Sequence, residues 1–105
     1  MFKWLKEKSR QKSAKNIEEI LIQLINVAAE ADQRIIASGG ATNADDMAAV
    51  KNLQQQLYFE LNGPLELDEV RAAFIDPIVS SEELSEGTKL AVTHIFDTYR
   101  EKSNR

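Results

Sequence analysis

Residues 16–40, NIEEILIQLINVAAEADQRIIASGG, contain the pattern that decides the fold of this chain. One apolar stripe follows the 3.6-residue period of a helix face and consists of Ile17, Ile20, Leu21, Leu24, Ala28, Ala31 and Ile35. A second stripe consists of Ile22, Ile25, Ala29 and Ile36. Two stripes predict that this helix is the most deeply buried one. Asn16 with Glu19 predicts its N-cap, and Gly39-Gly40 predicts its end, so we expect a helix over 17–37.

Three further helices are expected after this one. The second helix, 44–61, should be capped by Thr42 or Asn43 and should end before Gly63-Pro64. The third, 65–75, should end where Pro77 disfavours helical geometry at the preceding residue. The fourth, 82–101, should open at Ser80 or Ser81.

The expected inner faces of these three helices are apolar stripes. Their members are Met47, Val50, Leu53, Leu57 and Leu61; then Leu67, Val70, Ala73 and Phe74; then Leu84, Thr88, Ala91, Val92, Ile95, Phe96 and Tyr99. No sustained two-residue alternation occurs, so the sequence predicts no sheet. The fold prediction is therefore all-α, an antiparallel four-helix bundle with a basic amphipathic N-terminal arm.

Composition argues against an enzyme. The chain has 105 residues, enough for one modest core, with no cysteine and a single histidine. Cysteine chemistry and a histidine-rich zinc site are thereby excluded, so we expect no metal and no cofactor. His94 could serve as a general base, but its position on a helix favours a surface or half-buried role. The adjacent acids at 45–46 and 82–83 are explained by the helix dipole, because neighbours on a helix do not converge.

Charge divides the chain into two predicted parts. Residues 1–16 carry a net charge of +5, whereas the remainder carries −9. We therefore predict a basic arm over 1–15 and a helical bundle domain over 16–105. A basic arm on an acidic body favours contact with an anionic surface, although the acidic body itself is an equally simple partner.

The arm also carries aromatic residues. Its candidate contact residues are Phe2, Lys3, Trp4, Leu5, Lys6, Lys8 and Arg10. Tryptophan and lysine together suit a membrane interface, so weak, reversible contact with anionic lipid is expected. The alternatives are that the aromatic residues pack on the bundle and extend its first helix, or that the arm meets nucleic acid. The acidic body opposes nucleic acid, because it repels phosphates.

Three stretches carry a resemblance to a known family. They are the opening Phe2-Lys-Trp-Leu5, the run Lys8-Ser-Arg-Gln-Lys-Ser-Ala14, and Asn16-Ile17 before an Ile/Leu-rich helix. Together they resemble immunity proteins against class IIa (pediocin-like) bacteriocins, the enterocin A immunity-like family. The resemblance implies a cytoplasmic four-helix bundle, consistent with the lack of a visible secretory signal. It also implies a binding partner, the membrane permease of the mannose phosphotransferase system with bound bacteriocin. By binding this complex, the protein would block the opening of a pore in the membrane.

The resemblance further implies that the C-terminal half selects the bacteriocin. Tyr99, Arg100 and Lys102 end the last apolar stripe, and tyrosine and arginine are favoured interface anchors. We therefore predict partner recognition by these three residues. A purely structural role is the alternative, because cations are favoured at a helix C-terminus. The alternative function is that of a generic cytoplasmic helical adaptor or regulatory module.

Overall fold

The computed structural model describes residues 2–41 and 43–103, with side chains described from Glu7 onward. The helical elements are α1 (Phe2–Ala37), α2 (Ala44–Leu61), α3 (Leu67–Val70), a π-helical turn (Arg71–Ile75), α4 (Asp76–Ser80) and α5 (Glu86–Ser103). The protein is all-helical, and no strand occurs within the described ranges. Because α3, the π turn and α4 are continuous, they are described below as the third helical segment, 67–80.

The predicted junction between the first two helices is confirmed. Gly39 and Gly40 have positive φ angles of 76° and 106° and follow the end of α1 at Ala37. Such angles cost glycine nothing, since it has no Cβ.

The predicted start of α2 is also confirmed. Asn43 Oδ1 accepts hydrogen bonds from the amide nitrogens of Asp45 and Asp46, at 2.7 and 3.3 Å. The side chain thereby satisfies amides that the first helical turn leaves unpaired, so Asn43 is the N-cap. The other candidate cap, Thr42, lies outside the described residues.

The predicted start of the first helix at residue 17 is wrong, because α1 begins at Phe2. Asn16 lies inside the helix, and its Nδ2 donates to Glu60 Oε1 at 3.1 Å instead of capping. Residues 2–15 contain no glycine or proline and are rich in good helix formers, so the helix continues upstream of the expected cap. At 36 residues, α1 is twice as long as α2, and it matches the 57 Å long axis of the molecule.

The third helical segment was predicted to end before Pro77. It continues instead to Ser80. Asp76 keeps helical angles (φ −58°, ψ −43°), and its amide donates to the Arg71 carbonyl, five residues back. This π turn widens the helix by one residue, which relieves the clash between the proline ring and the preceding turn.

The last helix begins at Glu86 rather than at residue 82. Ser85 is its cap, since its Oγ accepts from the Thr88 amide at 3.2 Å. Ser81 Oγ accepts from the Glu83 amide at 3.3 Å, which forms a local turn instead of the predicted helix start. Ser85 Oγ also donates to Asp32 Oδ2 at 3.0 Å, which fixes the start of α5 against α1.

The core lies where α1 packs along α2 and α5. Its buried apolar members are Ile17, Ile20, Leu21, Leu24, Leu53, Leu57, Leu61, Val70, Ile75, Val92, Ile95 and Phe96. The main predicted stripe of α1 is therefore confirmed over its central part.

Several residues predicted to be interior are exposed instead. Ile22 and Ile36, from the second stripe of α1, are 50% and 80% exposed, so α1 buries one face rather than most of its girth. Met47 of α2 is 61% exposed, and Ala73 is exposed as well. Ile75 takes the interior position in the third segment.

Candidate partner-binding surfaces

The N-terminal contact residues lie on the first turns of α1. The backbone of Phe2, Lys3, Trp4, Leu5 and Lys6 is helical, and the side chains of these five lie outside the described residues. Downstream, the side chains of residues 7–9 and 11–12 are exposed. Burial begins at Ser13, whose Oγ donates to Glu60 Oε2 at 3.3 Å. The start of α1 therefore exposes basic side chains, Lys8 and Lys12, outside the core.

Arg10, in contrast, is engaged within the protein. Its guanidinium donates to the carboxylate of Glu69 in the third helical segment, forming an exposed ion pair. The hydrogen bond from Arg10 holds the pKa of the Glu69 carboxyl below its ordinary value of 4.5. Arg10, one of the seven residues predicted to contact a partner, therefore pairs with an acidic residue of the same protein.

This ion pair predicts a measurable pH effect. Because the folded-state pKa of Glu69 is lowered, the stability it contributes is present above pH 4.5 and is lost as pH falls through the folded-state value. Replacing Arg10 by alanine should return the Glu69 pKa to its ordinary range, which a pH titration of its side-chain NMR signals would measure. Replacing Lys15, an exposed base on the same helix, should leave it unchanged. An unaltered Glu69 titration in the Arg10→Ala variant would contradict the pairing.

The C-terminal candidates Tyr99 and Lys102 assemble around a third residue, Tyr58 of α2. The rings of Tyr58 and Tyr99 are 5.2 Å apart between centroids and inclined by 50°, a favourable tilted arrangement. Lys102 Nζ lies 5.9 Å from the centroid of the Tyr58 ring, within cation–π range. Gln54 Nε2 donates to the Tyr58 hydroxyl oxygen at 2.9 Å. These contacts place a lysine over an aromatic pair between α2 and the end of α5.

Arg100 lies on a different face of α5. It lines a shallow depression with Arg71, Asp97 and Glu101, and it is exposed. The structure therefore brings Tyr99 and Lys102 together and separates Arg100 from them. The available signal for this division was the helix period: Tyr99 and Lys102 are three residues apart and share a face, whereas Arg100 is rotated about 100° from Tyr99.

An open groove of about 600 Å³ adjoins the tyrosine pair and was not anticipated from the sequence. Its walls come from α1, α2 and the end of α5, and its lining residues are Ala31, Ile35, Asn43, Asp46, Met47, Val50, Lys51, Gln54, Gln55, Tyr58 and Lys102. The helix period predicts an inner position for both Met47 and Val50; Val50 is half-buried against the core, whereas Met47 is largely exposed. The available signal was that residues 47, 50, 51, 54 and 58 share one helix face that turns from apolar to polar.

The groove has an uneven charge distribution. Asp46 is its one acid, and the guanidinium of Arg34 donates to that carboxylate. Among the ion pairs within the described part of the chain, none involves Lys51 or Lys102. The groove therefore presents two uncompensated positive charges, although the protein as a whole carries −4.

The metal-ligating residue types are dispersed over the described part of the chain. No group of three or more His, Asp or Glu residues within it could hold a metal ion. His94 is exposed on α5 and contributes its backbone carbonyl to a hydrogen bond from Thr98 Oγ1 at 2.7 Å. Over the same residues, each helix is too short or too polar to span a bilayer. Three candidate surfaces are described above: the basic start of α1, the tyrosine–lysine cluster and the groove.

The sequence and the structure were compared with those of known proteins. The chain matches no protein family model, no curated protein sequence and no solved structure.

Proposed function

We propose that this protein is a non-enzymatic binding module that confers immunity to a pediocin-like bacteriocin. It would act in the cytoplasm, at the inner face of the membrane. Its partner there would be the mannose phosphotransferase permease with bound bacteriocin. The observation that supports the proposal most is the Tyr58–Tyr99–Lys102 cluster beside an open groove, because aromatic and cationic side chains suit a recognition surface. The resemblance of residues 2–25 to immunity proteins against pediocin-like bacteriocins also supports the proposal.

We further propose an antiparallel four-helix bundle as the finer description of the fold. Contacts between residues at matching ends support it. The guanidinium of Arg34 near the end of α1 pairs with Asp46 near the start of α2, while Ser13 in the first third of α1 contacts Glu60 at the end of α2. Short connections between successive helices also favour antiparallel neighbours.

The mechanism would need no bond making or breaking. A protein that binds the closed form of the permease–bacteriocin complex more tightly than the open form shifts the population toward the closed form. A shift from mostly open to mostly closed requires a difference in binding free energy of about 5.5 kcal/mol. A surface with a few strong anchors can supply that difference without a catalytic site.

The function is tested directly by a challenge experiment. The protein is expressed in a bacteriocin-sensitive strain, which is then exposed to a panel of purified pediocin-like peptides. Protection against one peptide or a few is the expected result, because the partner complex includes the bacteriocin. Uniform sensitivity to the whole panel, with the protein abundant and folded, would favour the adaptor function instead.

The basic start of α1 is proposed to add weak membrane contact. The full chain should co-sediment with vesicles that contain anionic lipid, and only weakly with neutral vesicles, since each lysine or arginine near an anionic surface contributes about 1 kcal/mol. A chain lacking residues 1–8 should lose most of this binding while keeping the Arg10–Glu69 pair. Equal sedimentation with both lipids, or no effect of the deletion, would favour packing of this segment on the protein.

A further inference from the structure

The groove between α1, α2 and α5 differs in chemistry from one end to the other. At the end near the α1–α2 junction, its lining is mainly apolar, with Ala31, Ile35, Met47 and Val50. Met47 is 61% exposed, so this apolar surface faces solvent instead of belonging to the core. Burying such a surface under an apolar group is favourable in proportion to the area covered.

The opposite end is polar and positively charged. It is lined by Gln54, Gln55, Tyr58 and Lys102, and Lys51 lies between the two ends, one position after Val50 on α2. Since the Tyr58 hydroxyl oxygen accepts from Gln54 Nε2, its own hydrogen remains able to donate to a ligand. Two ammonium groups, a hydroxyl and amide groups therefore line the groove from its middle to this end, and its one lining acid, Asp46, is already paired with Arg34 near the other end.

The dimensions suit a small elongated ligand. Met47 and Tyr58 are separated by eleven residues of α2, which corresponds to about 16 Å along the helix axis. The volume of about 600 Å³ lies within the usual range of small-molecule sites, which combine an apolar lining with a few converging polar groups.

We infer that this groove binds a free amphipathic anion, a single apolar chain that ends in a carboxylate. The chain would lie over Met47 and Val50, and the carboxylate would accept hydrogen bonds from Lys51, Lys102 and the Tyr58 hydroxyl. Charge complementarity selects this occupant, because the groove is cationic on an acidic protein. A purely apolar helix in the groove would leave both ammonium groups unpaired. The inference does not depend on the proposed immunity function.

The test uses the full chain and three probes of one chain length. Dodecanoate and dodecyltrimethylammonium are titrated below their micelle concentrations and dodecan-1-ol below its solubility limit, with heat of binding as the readout. Dodecanoate should bind saturably at one site per chain, with dodecan-1-ol about tenfold weaker and the cation weaker still. Bound dodecanoate should also raise the melting temperature, because it binds the folded state.

Charge-reversal variants locate the site. Lys51→Glu and Lys102→Glu should each weaken dodecanoate binding about tenfold, since each replaces an attractive ammonium by a repelling carboxylate. Met47→Glu should weaken it similarly and should not unfold the protein, because Met47 is largely exposed. Arg100→Glu is the matched control: it makes the same charge change on α5, on a face outside the groove, and should alter binding less than about twofold.

Several results would overturn the inference. These are an absence of saturable binding, equal affinity for all three probes, and an equal loss in Arg100→Glu and Lys102→Glu. Sedimentation that reveals a dimer dissociated by Met47→Glu would assign the groove to a second copy of the chain instead. Binding to anionic vesicles that depends on Lys51 and Lys102, without binding of free dodecanoate, would assign it to a membrane.

Discussion

Replacing Leu24 by alanine is expected to lower the free energy of unfolding by about 2–5 kcal/mol. Leu24 is 0% exposed and lies on the face of α1 that packs against α2 and α5. The change removes buried methyl groups and leaves a cavity, which neighbours on three helices cannot readily fill. Urea unfolding followed by circular dichroism would measure the effect as a lower midpoint at an unchanged slope.

Ile36→Ala is the matched control for this prediction. Ile36 belongs to the same helix, but it is 80% exposed, so its loss should change stability by no more than about 0.5 kcal/mol. Equal effects of the two substitutions would contradict the assignment of one buried face to α1. A loss below about 0.5 kcal/mol for Leu24→Ala would remove Leu24 from the core.

The parts of the fold that follow from local rules were predictable. The end of α1, the Asn43 cap and the bounds of α2 each depend on a few adjacent residues. Glycine conformation and side-chain capping act over one turn, so the sequence alone specifies them. The same holds for the 3.6-residue stripe through Leu24, where strong periodicity coincides with burial.

The third helical segment was mispredicted because its geometry departs from the α period. Val70 and Ile75 are both buried, yet a separation of five residues places two side chains about 140° apart on an α-helix. The π turn brings them toward one side, so Ile75 is interior and Ala73 is exposed. A fixed 3.6-residue repeat cannot anticipate the extra residue of a π turn. The same turn accommodates Pro77, so the expectation that the helix ends before this proline also failed.

The candidate surfaces were predictable only in part. Charge counting found the basic start of α1, but the pairing of Arg10 with Glu69 joins residues 59 positions apart and depends on tertiary packing. Similarly, Met47 fits a core stripe and is nonetheless exposed, because it lines an open groove. Helix period specifies which residues share a face, whereas the neighbouring helices decide whether that face is covered.

Under the proposed immunity function, Lys102→Glu is expected to reduce protection strongly. Lys102 lies over the Tyr58 ring at the edge of the groove, where a charge reversal replaces attraction by repulsion toward any partner that meets this cluster. Loss of one strong anchor costs about 2 kcal/mol or more, which corresponds to roughly a thirtyfold lower bacteriocin concentration tolerated by the expressing strain. Lys102 is exposed, so the melting temperature should change little.

Arg100→Glu provides the comparison that makes this result informative. It alters the same charge two residues away, but on the face of α5 that meets Arg71, so protection should persist. If Arg100→Glu abolishes protection and Lys102→Glu does not, recognition belongs to that other face. Tyr99→Ala is a poorer probe, because Tyr99 packs against Tyr58 and the core, and lost protection would then accompany lost stability. Measuring the killing assay and the thermal melt on each variant separates contact from folding.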